Sequence, residues 1–279
     1  MISTLTPLLP GFASLDWLES TGSSNVDLIQ RVRQSDAPPL PWLLGAESQS
    51  SARGRAGRPW QNTPGSTLMF SCAFAVDLPM AELPGLSPVM GIAACEALRN
   101  LLCDQPADDT KKLPERRLQL KWPNDLLWDR AKLAGILVEA ANKPGSNKPV
   151  IVAGIGLNLK NAAALSAALG REIADWSQIS TIAAPHIVAS IAQAWSCAIV
   201  EYAAGGYGAF SARFDQVDAL AGHQVDVTDK GHILQTGRAS GTDSTGRLLV
   251  KTAQGISAIM VGDISIRPTS SQSAYESLS

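Results

Sequence analysis

The sequence predicts an α+β fold in which a large domain of strands and helices is followed by a small all-β module. Three observations predict it. Apolar runs typical of buried strands recur through the first three quarters of the chain. Segments with helical spacing of apolar residues lie between them. After about residue 218 the sequence changes to short alternating segments cut by Asp-Lys-Gly, Asp-Ser-Thr-Gly and Gln-Gly turns, which is typical of a barrel-like module.

The individual elements follow from local patterns in chain order. Apolar and small residues predict strands at 41–49, 66–76, 118–122, 125–128, 132–141 and 149–159. From Pro88 the apolar residues recur on one helical face, and residues 183–204 form the clearest helix, with Pro185 at a tolerated first-turn position. The mixed charges and two prolines of 103–117 predict a solvated loop.

The chain is therefore divided into three predicted parts. Residues 1–218 form the large domain, with a mixed sheet flanked by helices, and residues 219–268 form the β-module. The Ser-rich residues 269–279 are expected to be a disordered tail.

Composition narrows the function classes. The formal net charge is −2 and charged residues make up 17% of the chain, which is not the basic excess of a general nucleic-acid binder. The four cysteines are widely spaced without a Cys-x-x-Cys pair, and three of them have apolar neighbours in sequence, which favours buried free thiols in a reducing compartment. The N-terminus has no basic region typical of a secretory signal, and no apolar run approaches about 20 residues. A soluble, cytoplasmic protein without a membrane partner is expected.

The most unusual stretch is 51–60, which reads Ser-Ala-Arg-Gly-Arg-Ala-Gly-Arg-Pro-Trp. Arginine guanidinium groups suit phosphate or carboxylate, and glycines allow the backbone to approach a ligand closely. Like charges this close repel, so the loop is expected to be poorly ordered until an anion arrives. Trp60 offers a flat face for a base to stack on. Taken alone, the stretch is equally consistent with a solvated basic loop.

Two further motifs carry polar groups at the ends of predicted strands. In Lys121-Trp-Pro-Asn-Asp125, the proline favours a turn that presents Asn124 and Asp125, although plain turn chemistry explains the motif equally well. Lys132 begins an otherwise apolar strand in which Gly135 permits close approach. The histidines show no metal-ligand spacing, so no protein metal site is predicted. Together the motifs suit a site that handles two anionic reactants.

At these residues the sequence resembles biotin–protein ligases of the biotin/lipoate ligase superfamily. The family's arginine loop is matched at 52–60, its Lys-Trp-Pro-Asn-Asp run at 121–125, its Lys-Leu-x-Gly-Ile-Leu-x-Glu run at 132–139 and its Gly-Ile-Gly-x-Asn run at 154–158. The C-terminal segment looks like the family's SH3-like domain. Two departures are Ala52 in place of glycine, and Ser24 in place of threonine in the family's Ser-Thr-Asn motif.

The resemblance implies a two-step reaction and a set of site residues. Biotin and ATP would form biotinyl-5′-AMP with Mg²⁺, and a lysine of a biotin carboxyl carrier protein, as in acetyl-CoA carboxylase, would then take the biotin. The implied catalytic residues are Arg55, Lys121, Asp125 and Lys132. The implied biotin-binding residues are Ser23, Ser24, Asn25, Gln49, Arg53, Gly54, Arg55, Lys132 and Gly135. The implied adenylate-binding residues are Arg58, Trp60, Lys121, Asn124, Lys132 and Asn158.

Several alternatives stay open at this point. Asp125 could accept the proton of the incoming lysine or act only as an electrostatic guide. The enzymatic alternative is a lipoate– or octanoate–protein ligase, and the other is a non-catalytic biotin-binding regulator. The chain begins almost directly at the catalytic domain, so the type without a DNA-binding domain is expected and DNA is not an expected partner. A homodimer is possible, and the acceptor carboxylase is not specified.

Overall fold

The first and larger sheet carries the pocket described below. The structure is a computed structural model that describes residues 1–34, 36–104, 117–145, 148–229, 232–260 and 264–268. Its strands are β1 (Ser14–Thr21), β2 (Trp42–Gln49), β3 (Thr67–Ala75), β4 (Leu118–Lys121), β5 (Asp125–Trp128), β6 (Ala131–Asn142) and β7 (Pro149–Asn158). In the described part of the chain they lie in the order β1-β2-β3-β7-β6-β5-β4. Among these strands only the β1–β2 pair is parallel, so the sheet is mixed.

Helices cover the two faces of this sheet unequally. The helices are α1 (Ile2–Leu8), α2 (Ser24–Val32), α3 (Leu86–Cys103), α4 (Ala162–Leu169), α5 (Ala184–Gly205) and α6 (Gly208–Val217). On one face α3 packs against α5, and the indole of Trp195 lies 5.7 Å from the ring of Phe70 on β3. On the other face α2 packs on β2, β3, β7 and β6, where Leu28 lies in a separate apolar cluster. The uncovered remainder of that face is where the pocket lies.

Among the residues that the structure describes, two helical segments are long and apolar enough to cross a membrane by length and composition. The most apolar 18 residues of Met80–Cys103 have a mean hydropathy of 1.2, and those of Ala184–Gly205 have one of 1.4. The expectation that no apolar run approaches membrane-spanning length was therefore wrong. Their apolar character has a local reason, because 72% and 50% of their most apolar stretches are buried inside the fold, where the two helices pack on each other and on the sheet.

The second sheet is antiparallel and follows the helices. Its strands are β8 (Gln224–Asp229), β9 (His232–Thr242), β10 (Leu248–Thr252), β11 (Gly255–Ile259) and β12 (Ile264–Pro268), in the order β11-β10-β9-β8-β12. Val225 and Val250 join the same apolar core as the first sheet. Trp122 also ties the two sheets together, because its buried indole N–H donates to the carbonyl of Gly246 at 2.9 Å.

The α+β fold and the elements predicted from the sequence are confirmed, with β2 to β7, α3, α5 and the C-terminal strands in the expected places. Local patterns did not predict β1, α1 or α2, and they indicated helical segments after residue 159 without giving bounds for α4 and α6. The predicted loop at 103–117 lies mostly outside the described residues, as does the predicted tail at 269–279, and the boundaries at 218 and 268 stay predictions. Cys72 and Cys95 are buried, whereas Cys103 and Cys197 are exposed, so the predicted burial of the thiols is wrong for these last two, which lie on the outer sides of α3 and α5. Burial raises the pKa of the Cys95 thiol to about 12.

Candidate active site

Two cross-strand rows form the floor of the pocket. Ser71 on β3 lies beside Gly154 on β7, and one step along the strands Gly156 lies beside Gly135, which in turn lies beside Asp125. Residues two apart on a strand point to the same face, so these side chains all face away from α3 and α5. Three of the five positions are glycine. The floor is therefore low in the middle and carries polar groups at both ends.

One end of the pocket is polar and uncharged. Ser24 and Asn25 begin α2, Gln49 ends β2 and Ser71 lies on β3, and each of the four is at most 7% exposed. Their side chains bond to one another: the Gln49 amide donates to Ser24 Oγ at 3.0 Å, and Ser71 Oγ donates to Asn25 Oδ1 at 2.6 Å. Gly154 leaves the space that Asn25 occupies, since a Cβ there would collide with Asn25 Oδ1. Buried polar groups bonded in this way form a rigid recognition surface.

The arginine-rich loop folds back on itself beside the pocket. The Gly54 amide donates to the Arg58 carbonyl at 2.8 Å, and the Trp60 amide donates to the Ala52 carbonyl at 2.9 Å. The tight turn is made at Ala56 and Gly57, whose φ angles are 55° and 69°. Ala52 has an ordinary negative φ, so the alanine in place of the family's glycine fits this conformation without strain. Whether the loop is poorly ordered without an anion stays a prediction.

Trp60 is the anchor of that loop. Its indole lies on the glycines of the floor: a Cβ at Gly156 would be 2.6 Å from Trp60 Cε2, and one at Gly135 would be 2.9 Å from Trp60 Cζ3. The Lys132 ammonium lies 5.2 Å from the ring centroid, within cation–π range. The close approach expected at Gly135 is thus used by Trp60. One face of the ring is occupied by the sheet, and stacking of adenine on the other stays a prediction.

The second end of the pocket is strongly cationic. Six cationic side chains line the pocket, namely Arg53, Arg55, Arg58, Lys121, Lys132 and Arg171. Of these, Arg53 pairs with Glu139 next to the polar end, whereas Arg55 and Lys132 bond to Asn124 and Asp125 at the second end. Asp125 is the one carboxylate among the described residues that line it. Lys132 Nζ donates to Asp125 Oδ1 at 2.7 Å, and both side chains are partly buried. A site with this balance of charge favours a ligand that carries several negative charges.

The Lys-Trp-Pro-Asn-Asp run forms the wall next to this cationic end. Asn124 is fixed by the neighbouring strand through two hydrogen bonds. Its side-chain Nδ2 donates to the Ile136 carbonyl at 2.7 Å, and its backbone carbonyl accepts from the Ile136 backbone amide at 2.9 Å. Its Oδ1 then accepts from Arg55 Nη1 at 3.3 Å. The turn therefore holds one loop arginine over the pocket, while Asp125 holds Lys132.

A smaller cavity shares Pro59, Trp60, Lys132 and Arg171 with the pocket. It is lined by Pro59, Trp60, Gln61, Lys132, Asn158, Leu165, Leu169, Arg171 and Ile173. Asn158 is 4% exposed, and its amide donates at 3.2 Å to the carbonyls of both Lys132 and Ala174. It thus ties the Lys132 backbone to the segment after α4. Its apolar lining is Pro59, Leu165, Leu169 and Ile173, and its volume of about 30 Å³ is close to that of a single water molecule.

The structure brings the predicted site residues together around these two cavities. Every predicted residue lines the main pocket except Asn158, which lines the adjoining cavity. Sequence reasoning missed Ser71, Arg171 and the carboxylate of Glu139, which accepts from Arg53 Nη2 at 3.0 Å. Glu139 closes a recognised motif, so its position was a usable signal. Ser71 lies in an apolar strand and Arg171 in a loop, so local patterns do not mark them.

Two family models match the chain. The Biotin/lipoate A/B protein ligase family matches residues 18–158, and the Biotin protein ligase C terminal domain matches residues 221–267. Among curated relatives, the biotin–[acetyl-CoA-carboxylase] ligase of Mycobacterium tuberculosis is 37% identical over 153 residues, which is 54% of this chain and 52% of that protein. This segment spans about half the length of that relative. The bifunctional ligase/repressor BirA of Salmonella typhimurium is 28% identical over 91% of this chain and 74% of its own length.

Solved structures agree on the fold. The biotin protein ligase of Aquifex aeolicus in complex with biotin and ATP aligns with a TM-score of 0.72 at 23% identity, covering 92% of this chain and all of that one. The biotin protein ligase of Leishmania major in complex with biotinyl-5-AMP aligns with a TM-score of 0.51 at 20% identity, covering 88% of this chain and 98% of that one.

Proposed function

This chain belongs to the biotin/lipoate A/B protein ligase family, and on that premise we propose that it is an ATP-dependent biotin–protein ligase. The observation that carries the proposal is a single pocket with a polar uncharged end and a cationic end. Biotin has a polar uncharged ureido ring at one end and a carboxylate at the other. The carboxylate would lie toward the cations, beside the nucleotide phosphates.

In the first step a biotin carboxylate oxygen would attack the α-phosphorus of ATP. The new bond joins that oxygen to the α-phosphorus. The bond between the α-phosphorus and the oxygen that bridges it to the β-phosphorus breaks, and pyrophosphate leaves. Both reactants are anions, so catalysis depends on positioned positive charge. Lys132 and Arg55 are the candidates, because each is held at the pocket by a hydrogen bond to the Asn124-Asp125 turn.

In the second step the amine of a carrier-protein lysine would attack the acyl carbon of biotinyl-5′-AMP, and AMP would leave with the bridging oxygen. A lysine has an ordinary pKa of about 10.4, so it must lose a proton before it attacks at neutral pH. Asp125 is the carboxylate in position to orient it or accept that proton. Because Asp125 already bonds to Lys132, the incoming ammonium would compete with Lys132 for the same group.

Mg²⁺ would enter the site with the nucleotide. In the described stretches of the chain, no three His, Cys, Asp or Glu side chains are grouped to hold a metal ion. Mg²⁺ at nucleotide sites is commonly held by one or two carboxylates together with substrate phosphates. Asp125 is the one carboxylate in the described lining, and it would have to exchange its ion pair with Lys132 to hold the ion. When bound, the ion would neutralise charge on the phosphates.

Adenine would bind next to Trp60, where the adjoining cavity of about 30 Å³ would have to open to admit the base. Leu165 and Leu169 provide an apolar wall, Arg171 lies at the border of both cavities, and Asn158 provides the amide. A biotin carboxyl carrier domain of acetyl-CoA carboxylase or a related carboxylase is the proposed acceptor. Cytoplasmic location, a possible homodimer and the lack of a DNA or membrane partner stay predictions from the sequence.

The direct test supplies the purified protein with biotin, Mg-ATP and a biotin carboxyl carrier domain. We expect pyrophosphate release and labelling of the carrier lysine, and no labelling of a carrier in which that lysine is replaced. Parallel reactions with lipoate and octanoate distinguish a biotin–protein ligase from the enzymatic alternative, a lipoate– or octanoate–protein ligase. Faster transfer of lipoate or octanoate than of biotin contradicts the proposal, and so does biotin binding without pyrophosphate release, which would favour a non-catalytic regulator.

A further inference from the structure

A chain of hydrogen bonds runs behind the polar end of the pocket and ends on a carboxylate that does not line it. Gln49 Nε2 donates to Ser24 Oγ at 3.0 Å, and Ser24 Oγ and Ser71 Oγ are 2.6 Å apart. Ser71 Oγ donates to Asn25 Oδ1 at 2.6 Å, and Asn25 Nδ2 then donates to Glu139 Oε2 at 2.9 Å. Glu139 is the last residue in this chain of hydrogen bonds, and it is absent from the pocket lining.

The other oxygen of Glu139 reaches the arginine loop. Glu139 Oε1 accepts from Arg53 Nη2 at 3.0 Å, and the Glu139 side chain is 26% exposed. An ionised carboxylate only accepts hydrogen bonds, so the group facing Glu139 on Asn25 has to be the amide nitrogen. A longer contact of 3.4 Å from Asn25 Nδ2 to the Leu137 carbonyl favours the same orientation. The orientation of the Asn25 amide is thus set from outside the pocket.

The opposite end of this chain of hydrogen bonds, at Gln49, is fixed as well. The Ser24 backbone amide donates to Gln49 Oε1 at 3.2 Å, so Gln49 has to turn its nitrogen toward the Ser24 hydroxyl. With both amides fixed, the hydroxyl protons have one arrangement: Ser24 donates to Ser71, and Ser71 donates to Asn25. Each hydroxyl oxygen keeps one lone pair that no protein group uses in this chain of hydrogen bonds. Toward the pocket, the two serines therefore accept hydrogen bonds and do not donate them.

We propose that Glu139 is a positioning residue that sets the direction of these hydroxyl protons and so makes the polar end of the pocket selective for ligands that present N–H donors. The inference rests on the proposed function, in which the ligand at this end is the ureido ring of biotin. That ring carries two N–H groups, whereas the dithiolane ring of lipoate carries none. A ligand without donors would leave the buried serine oxygens unpaired, which costs affinity.

The test compares two ligands that differ in these donors. One is biotin, and the other is the cyclic carbonate analogue, in which both ureido N–H groups are replaced by oxygen. Dissociation constants are measured by calorimetry for the wild-type chain, Glu139→Gln and Asp77→Asn. Asp77→Asn is the matched control, because it neutralises a carboxylate in an exposed ion pair with Lys148.

In the wild-type chain we expect biotin to bind at least about tenfold more tightly than the carbonate, as for a lost donor at a buried acceptor. In Glu139→Gln, a glutamine amide can face Asn25 with its nitrogen, so Asn25 can turn over and release the Ser71 proton into the pocket. Biotin should then bind about tenfold more weakly, and the biotin-to-carbonate ratio should fall by a similar factor. Asp77→Asn should keep both constants at the wild-type values.

A purely structural role of Glu139 would weaken both ligands equally and leave the ratio unchanged, and that result overturns the inference. Ser71→Ala is the second variant, because it breaks the chain of hydrogen bonds with little change in volume and should lower the ratio in the same way. An unchanged ratio in Ser71→Ala likewise overturns it. If the wild-type chain binds no biotin at all, the proposed function itself fails and this inference fails with it.

Discussion

Substitution of Gly156 by alanine tests whether the tryptophan seated on the sheet holds the arginine loop over the pocket. A Cβ at Gly156 would lie 2.6 Å from Trp60 Cε2 and Nε1, whereas ordinary van der Waals contact begins at 3.4 Å, so the indole has to move by about 0.8 Å (3.4 − 2.6) or more. Trp60 is hydrogen-bonded to Ala52 through its backbone, and the loop arginines lie between these two residues. The loop should therefore shift as a unit away from the floor.

A displacement of about 1 Å at a site that depends on positioning costs on the order of a hundredfold in rate. We therefore expect Gly156→Ala to lower kcat/KM for adenylate formation by about ten- to a hundredfold and to shorten the lifetime of bound biotinyl-5′-AMP. The assays are pyrophosphate release and single-turnover dissociation of the adenylate. The matched control is Gly208→Ala, since an added Cβ there meets nothing within 4 Å and the residue opens a helix. Wild-type rates in a folded Gly156→Ala protein would refute the reasoning.

Three further substitutions probe the cationic end and the junction of the two sheets. Arg55→Ala removes the guanidinium held by Asn124 and should speed adenylate dissociation by about a hundredfold, as measured by chasing labelled adenylate; an unchanged rate excludes a ligand contact for Arg55. Asp125→Asn should slow lysine transfer from preformed adenylate by about a hundredfold in single turnover, and wild-type transfer would remove Asp125 from the mechanism. Burial raises the pKa of the Asp218 carboxyl to about 6, so the folded chain binds more protons than the unfolded chain between about pH 4 and 6, and stability falls as pH rises through that window. Asp218→Asn should remove this loss of up to about 3 kcal/mol, measured by urea unfolding at pH 4 and 7, and an identical pH dependence in both proteins would contradict it.

Much of the site could be predicted because its chemistry is concentrated in short runs. The arginines of the loop, Asn124, Asp125 and Lys132 were all identified from residue type, spacing and resemblance, and the structure places them on one pocket. Their arrangement relative to one another was not predictable. Lys132 and Asp125 form an ion pair because a register shift in the β5–β6 pairing brings Lys132 to the pocket face.

The residues that sequence reasoning missed share one property, which is that their roles depend on distant parts of the chain. Ser71 is a single hydroxyl in an apolar strand, and its role appears only when β3 is paired with β7 and α2 is packed above them. Glu139 ends a short motif, yet its partners Asn25 and Arg53 are 114 and 86 positions away along the chain. Contacts over such separations depend on sheet register, which local periodicity does not encode.

By itself, the sequence determined which residue types are present, where the main strands and helices run, and that basic, amide and carboxylate groups stand at their ends. Those features follow from local preferences and short motifs, which act over a few residues. Only the tertiary structure decided that Gly135 and Gly156 lie side by side beneath Trp60, and that Glu139 joins the loop to the polar end of the pocket. Both depend on pairing between distant strands, because the position of each side chain on the sheet is set by register and by the packing of the whole fold.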